Sequence, residues 1–126
     1  MKFLGIDFGE KRIGLAIADD KTKIAFPFKT ILYKNNKQIL EDIRLILDEE
    51  GITDIVIGLP LSFSFQETKE SKTITEFISK LKEKFQTRNI YEENEVLTSK
   101  EAENLLGIQK NKQGLVDAVA AALILQ

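Results

Sequence analysis

Cysteine and histidine are both missing from this 126-residue chain. Without cysteine there is no disulfide, no thiolate nucleophile and no sulfur ligand. Without histidine there is no imidazole general base, and the commonest zinc sites are excluded. Any catalysis must therefore rest on carboxylates, lysines, hydroxyls or a hard metal ion. Long hydrophobic runs are also missing: the longest, Ala118 to Leu125, is far too short to cross a bilayer. The expectation is a soluble, cytoplasmic protein that does not engage a membrane. No stretch is rich in proline or glycine, and neither a linker nor an internal repeat is visible. Eighteen basic residues against 20 acidic ones leave a net charge of -2. That balance argues mildly against tight non-specific binding to nucleic acid, although a local basic patch can act within an acidic whole.

What is present is a globular balance, 43% hydrophobic and 30% charged, in a chain most simply read as one domain over residues 1–126. Residues 2–8 and 12–18 read as strands joined at Gly9-Glu10-Lys11, and a third strand is expected near 23–32. Ile39, Leu40, Ile43, Ile46 and Leu47 recur at helical spacing between Asn35-Asn36 and Gly51, which predicts a helix over about 37–49. Asp54 to Pro60 has the continuous apolar character of a strand buried on both faces. Ile74, Phe77, Ile78, Leu81 and Phe85 give a second helical stripe, and 89–96 a fifth strand. Thr98 and Glu101 form a capping-box pattern for a short helix stopping at Gly107, and a last helix begins close to Asp117. The order strand, strand, strand, helix, strand, helix, strand, helix, helix predicts an α/β fold with a mixed sheet covered by helices.

Three acids interrupt apolar settings: Asp7 in the first strand, Asp117 in the first turn of the last helix, and one at the end of the fifth strand. For the last, Glu93 and Glu95 are two apart and share a face, so periodicity does not choose between them. Asp7 could simply bond the Gly9 turn, and Asp117 could simply favour its helix dipole. Acids such as Glu41, Asp42, Asp48, Glu49 and Glu50 lie opposite apolar stripes and read as solvated. If three carboxylates converge, each pair about 4 Å apart costs about 4 kcal/mol at an effective dielectric near 20. A divalent cation removes that cost, and oxygen ligands alone suit Mg2+ or Mn2+. Two such ions can activate water and stabilise the leaving oxygen of a phosphodiester. Lys11 and Arg12 beside Asp7, and Lys110 and Lys112 before Asp117, are the candidate phosphate binders. Lys80, Lys82, Lys84 and Arg88 are scattered around a helix and read as solvated.

These motifs taken together resemble the YqgF (RuvX) family of pre-16S rRNA nucleases, within the RNase H-like, RuvC-related superfamily. The resemblance spans nearly the whole chain. It rests on Gly5-Ile6-Asp7-Phe8-Gly9 with Lys11-Arg12-Ile13-Gly14-Leu15-Ala16, on Gly58-Leu59-Pro60-Leu61, on Glu95 with Leu97-Thr98-Ser99 and Glu101-Ala102, and on Asp117 with Ala120-Ala121 and Ile124-Leu125. It implies an RNase H-like, five-stranded mixed sheet of order 3-2-1-4-5 with helices on both faces. It further implies a catalytic and metal site of Asp7, Glu95 and Asp117 holding Mg2+ or Mn2+, two ions being expected, and cleavage of structured RNA during ribosome maturation. Partners would be precursor rRNA and ribosome precursor particles, with branched DNA as the alternative, and the protein a monomer or weak homodimer.

The family's usual Asp-Glu-Arg-Leu-Thr-Thr stands here as Asn94-Glu95-Val96-Leu97-Thr98-Ser99, so an acid and an arginine are absent. A glycine expected after Gly-Leu-Pro-Leu gives way to Ser62-Phe63-Ser64-Phe65, and the segment from Gly107 to Asp117 is short for the family. Competing readings are a Holliday junction resolvase, a non-catalytic nucleic-acid or ribosome-binding module, and one half of an actin-like or sugar-kinase-like ATPase. The last fits one short domain poorly.

Overall fold

The computed structural model describes residues 2–8, 11–19, 21, 24–59 and 69–94. Their elements run β1 (Lys2–Phe8), β2 (Arg12–Asp19), β3 (Ile24–Leu32), α1 (Asn36–Glu50), β4 (Asp54–Leu59), α2 (Lys69–Lys84) and β5 (Asn89–Asn94). The two helices expected after residue 97 lie outside the described residues.

The five strands form one sheet in the order β3-β2-β1-β4-β5. β1 pairs antiparallel with β2, and β2 with β3. β4 runs parallel to β1 and to β5, with α1 and α2 as the crossover helices that parallel pairing requires. The expected mixed sheet of order 3-2-1-4-5 is therefore present. Pro27 would break a ladder in a central strand. It stands in an edge strand, beside the bulge that leaves Phe28 without a partner on β2.

Side-chain alternation gives the sheet two faces. Leu4, Ile6 and Phe8 of β1, Ile13, Leu15 and Ile17 of β2, and Ile55 and Ile57 of β4 join the apolar stripes of α1 and α2 in one core. The Phe8 and Phe77 rings lie 4.7 Å apart at its centre. On the opposite face Phe3, Ala16, Ala18 and Val56 are also fully buried.

Local chemistry fixes the helix ends. Asn35 is extended and its side chain accepts the Gln38 N–H at 2.9 Å, while Gly51 takes φ 65° and its N–H donates to the Leu47 carbonyl. Arg88 ties α1 to the start of β5: it donates to the Ile52 carbonyl at 3.0 Å, bonds Asp48 at 3.1 Å and lies over the Phe85 ring. The four cations read as solvated, Lys80, Lys82, Lys84 and Arg88, meet Glu76, Glu92, Glu41 and Asp48.

Candidate metal centre and nucleic-acid face

Asp7 is the penultimate residue of β1, the central strand, at the carboxyl end shared by the three parallel strands. In open α/β sheets ligands bind outside that end. Its neighbours Ile6 and Phe8 belong to the core under the helices, so alternation places Asp7 on the other face, where it is half-buried.

The residues around it on that face are unusual for a sheet. Asp7 is level with Gly14 on β2 and with Gly58 on β4, and Gly5 precedes it by one pleat. All three glycines are buried, and among the described residues only Gly51 has positive φ. Gly5, Gly14 and Gly58 therefore do not answer a backbone need, and glycine in a strand interior weakens it. What they provide, among the described residues, is a carboxylate whose register neighbours on β2 and β4 and whose predecessor on the same face of β1 carry no Cβ, which permits close approach by a ligand or another stretch of backbone.

Register separates two basic residues that the sequence offered together. Arg12 alternates with Ile13, so it lies on the Asp7 face, diagonal to Asp7 through the Asp7–Gly14 pair. Such diagonal positions are about 7–8 Å apart, within reach of a long side chain. Arg12 is exposed and has no ion pair among the described residues. Lys11 is one residue out of phase. Its carbonyl accepts the Tyr33 N–H at 2.8 Å, and the alternation carries it towards the helix-covered face.

On the other side the row Asp7–Gly58 continues to position 93 of β5. Glu93 thus occupies the register position level with Asp7, and Glu95 follows two residues later, outside the described residues. Asp117, Lys110 and Lys112 also lie outside them. Among the described residues no three acids gather into a metal-binding group, and of the three expected ligands only Asp7 falls within them. The donor set nevertheless suits a hard cation: a half-buried carboxylate in a chain with no histidine or cysteine.

One buried acid escaped the sequence reading. Asp54 begins β4 and is 1% exposed. It accepts hydrogen bonds from the Thr53 hydroxyl at 2.7 Å and the Tyr91 hydroxyl at 3.1 Å, with the Asn89 amide at 3.5 Å. The available signal was Asp54 heading the run Ile55-Val56-Ile57, with Asn89 and Tyr91 at alternate positions of the next strand. Asp54 is four residues from the Gly58 row, about 13 Å along the strand. It fastens β5 to β4 at the end of the sheet away from Asp7.

Comparison with known proteins bears on the family and the fold. A family model described as "RuvX: Holliday junction resolvase" matches residues 1–126. A Rickettsia typhi protein named "Putative pre-16S rRNA nuclease" is 38% identical over 127 aligned positions, covering 98% of this chain and 81% of that protein. A protein of the same name from Anaplasma marginale is 37% identical, covering 99% and 82%. Among solved structures, T. thermophilus RuvC in complex with a Holliday junction substrate superposes with a TM-score of 0.62 at 16% identity, covering 98% of this chain and 90% of that one. At that identity the superposition speaks for the fold alone.

Proposed function

From the premise that this chain belongs to the RuvX family of RNase H-like nucleases, we propose that it is a divalent-metal-dependent endonuclease that cleaves structured RNA at the face carrying Asp7. The substrate in this reading is the precursor of small-subunit rRNA, within ribosome precursor particles in the cytoplasm. The observation that carries it is the half-buried Asp7 at the carboxyl end of the central strand, bordered by Gly5, Gly14 and Gly58. Proteins of this family are generally metal-dependent. No described helix is long and apolar enough to cross a membrane.

Asp7, Glu95 and Asp117 are the proposed holders of Mg2+ or Mn2+. Such ions, when bound, acidify an attacking water and neutralise charge on the leaving oxygen. The chain's own contribution is geometric. Glycine at the neighbouring register positions Gly5, Gly14 and Gly58 leaves no Cβ there for a phosphodiester to displace. Arg12, on the same face and one diagonal away, binds a neighbouring phosphate through its planar fork. Lys110 and Lys112 add positive charge before Asp117 in sequence, and Lys11, which alternates away from Asp7, is less well placed than Arg12.

The test is cleavage of a labelled precursor rRNA fragment by wild type and Asp7→Asn, with and without Mg2+ or Mn2+, beside a four-way DNA junction. Metal-dependent cutting of the RNA by wild type alone supports the reading. The family description favours the junction as a second substrate, and cutting of the junction instead would move the assignment there. No cutting of either by folded, metal-loaded protein would leave a binding module.

A further inference from the structure

The corner between β3 and α1 carries cations that the surroundings of Asp7 do not explain. Residues 21–40 hold five lysines and no acid. Two of them, Lys34 just past the end of β3 and Lys37 in the first turn of α1, are exposed. β3 and β1 are each antiparallel to β2 and so run the same way, which brings this corner to the end of the sheet where Asp7 stands. Tyr33 fastens it there. Its N–H donates to the Lys11 carbonyl at 2.8 Å, its hydroxyl donates to Asn36 Oδ1 at 2.7 Å, and its ring meets Phe8, the residue after Asp7, edge-on at 5.3 Å. Two strand spacings across and three residues along place Tyr33 about 14 Å from Asp7.

Arg12 lies on the Asp7 face and Lys11 alternates to the other, so Arg12, Lys11, Lys34 and Lys37 form a band from that face over the end of the sheet to α1. All four are exposed, and none has an ion pair among the described residues. Helix stability does not account for them. A helix is favoured by acids in its first turn and bases in its last, and α1 has neither. Lys37 stands in the first turn, and Asp48, Glu49 and Glu50 stand in the last. At the last turn Lys2 offsets Glu50, and Arg44 and Arg88 offset Asp48. At the first turn nothing offsets Lys34 or Lys37 among the described residues. Cations kept where they oppose the helix dipole, beside a proposed nuclease centre, suit an anionic partner.

We propose that this band holds the RNA backbone beyond the bond that is cut, Lys34 and Lys37 each contacting a phosphate a few nucleotides from the one at Asp7. The contact is indifferent to sequence, because exposed lysines meet phosphates and select no base edge. Its strength depends on salt, since each neutralised phosphate releases counterions. That the partner is RNA rests on the nuclease reading, whereas the contact itself is tested without cleavage.

Binding of a labelled RNA hairpin is measured in EDTA, without cutting, over a salt series. Lys34→Gln together with Lys37→Gln is expected to weaken binding about tenfold or more and to lower the slope of log K against log salt by about 1.5–2. Lys21→Gln with Lys80→Gln removes the same charge at the opposite end of the sheet and late in α2, and is expected to weaken it less than about threefold. Lys37→Glu separates binding from stability: Tm is expected to rise by about 1–4 °C while RNA binding falls. Unchanged affinity and slope in the Lys34 and Lys37 pair would overturn the proposal. So would an equal loss in the control pair, a lower Tm for Lys37→Glu, or a wild type that does not bind the hairpin. If the pair loses binding and wild type with Mg2+ or Mn2+ cuts nothing, the surface stands and the nuclease reading falls. If wild type cuts and the pair binds as wild type does, the reverse holds.

Discussion

At the scale of single residues, the site turns on side chains that are absent as much as on those present. Asp7 is a carboxylate set among three glycines, and one methyl group beside it alters the surface a ligand meets. We expect Arg12→Gln to raise KM for RNA about tenfold or more with kcat less changed, since a phosphate contact away from the reacting bond contributes mainly uniform binding. Lys11→Gln, alternating to the other face, should change KM less in the same assay. Glu93 and Glu95 are separable in the same way: Glu95→Gln is expected to abolish metal-dependent cleavage and Glu93→Gln to reduce it by less than about tenfold. At the opposite end of the sheet, Tyr91→Phe removes one of the donors to the buried Asp54 carboxylate. The expected cost is about 1–3 kcal/mol in urea unfolding, with cleavage by the folded enzyme unchanged.

Among the elements, α1 shows how local rules and tertiary pairing combine. Gly51 closes the helix at φ 65°, and a Cβ built there would meet nothing within 4 Å. Gly51→Ala should therefore cost only the left-handed conformation, about 1–2 kcal/mol, visible as a lower Tm without loss of activity. On the exposed side, a hydrogen bond from Arg44 holds the Glu41 carboxyl below its ordinary value, with the charges of Arg44 and Lys84 adding to it. A depressed folded-state pKa contributes stability above the unfolded value and loses it as pH falls through the folded one. Arg44→Gln should thus move the Glu41 titration, followed by NMR, back towards higher pH. It should also remove that small part of the acid dependence of stability. The effect stays small because both groups are exposed.

For the whole molecule, the element types were legible in advance because they depend on local periodicity. The helical spacing of Ile39, Leu40, Ile43, Ile46 and Leu47 located α1 to within a residue at each end, because those residues are the buried stripe. For α2 the apolar stripe began at Ile74, whereas the helix starts at Lys69, since a polar first turn carries no periodic signal. Lys80, Lys82 and Lys84 of α2 were likewise legible as surface charge, whereas Arg88, read with them, lies past the helix end against Ile52 and Phe85, and the partners of Lys84 and Arg88 were not legible because they are acids of α1 some forty residues away in sequence. Of the candidate site, what was legible was an Asp in an apolar strand within a chain lacking histidine and cysteine.

The sequence by itself determined which chemistry is open to this protein. Having neither histidine nor cysteine, it is left with carboxylates, lysines, hydroxyls or a hard cation, and its alternation and helical spacing decide which segments are strands and which are helices. Only the tertiary structure decided that Gly14 and Gly58 flank Asp7, that Arg12 shares its face while Lys11 does not, and that β3 stands at one edge of the described sheet. The reason is that periodicity is a property of neighbours along the chain, whereas strand order and register are set by burying both faces of a sheet at once. Residues 7, 14 and 58 become adjacent only when that sheet closes.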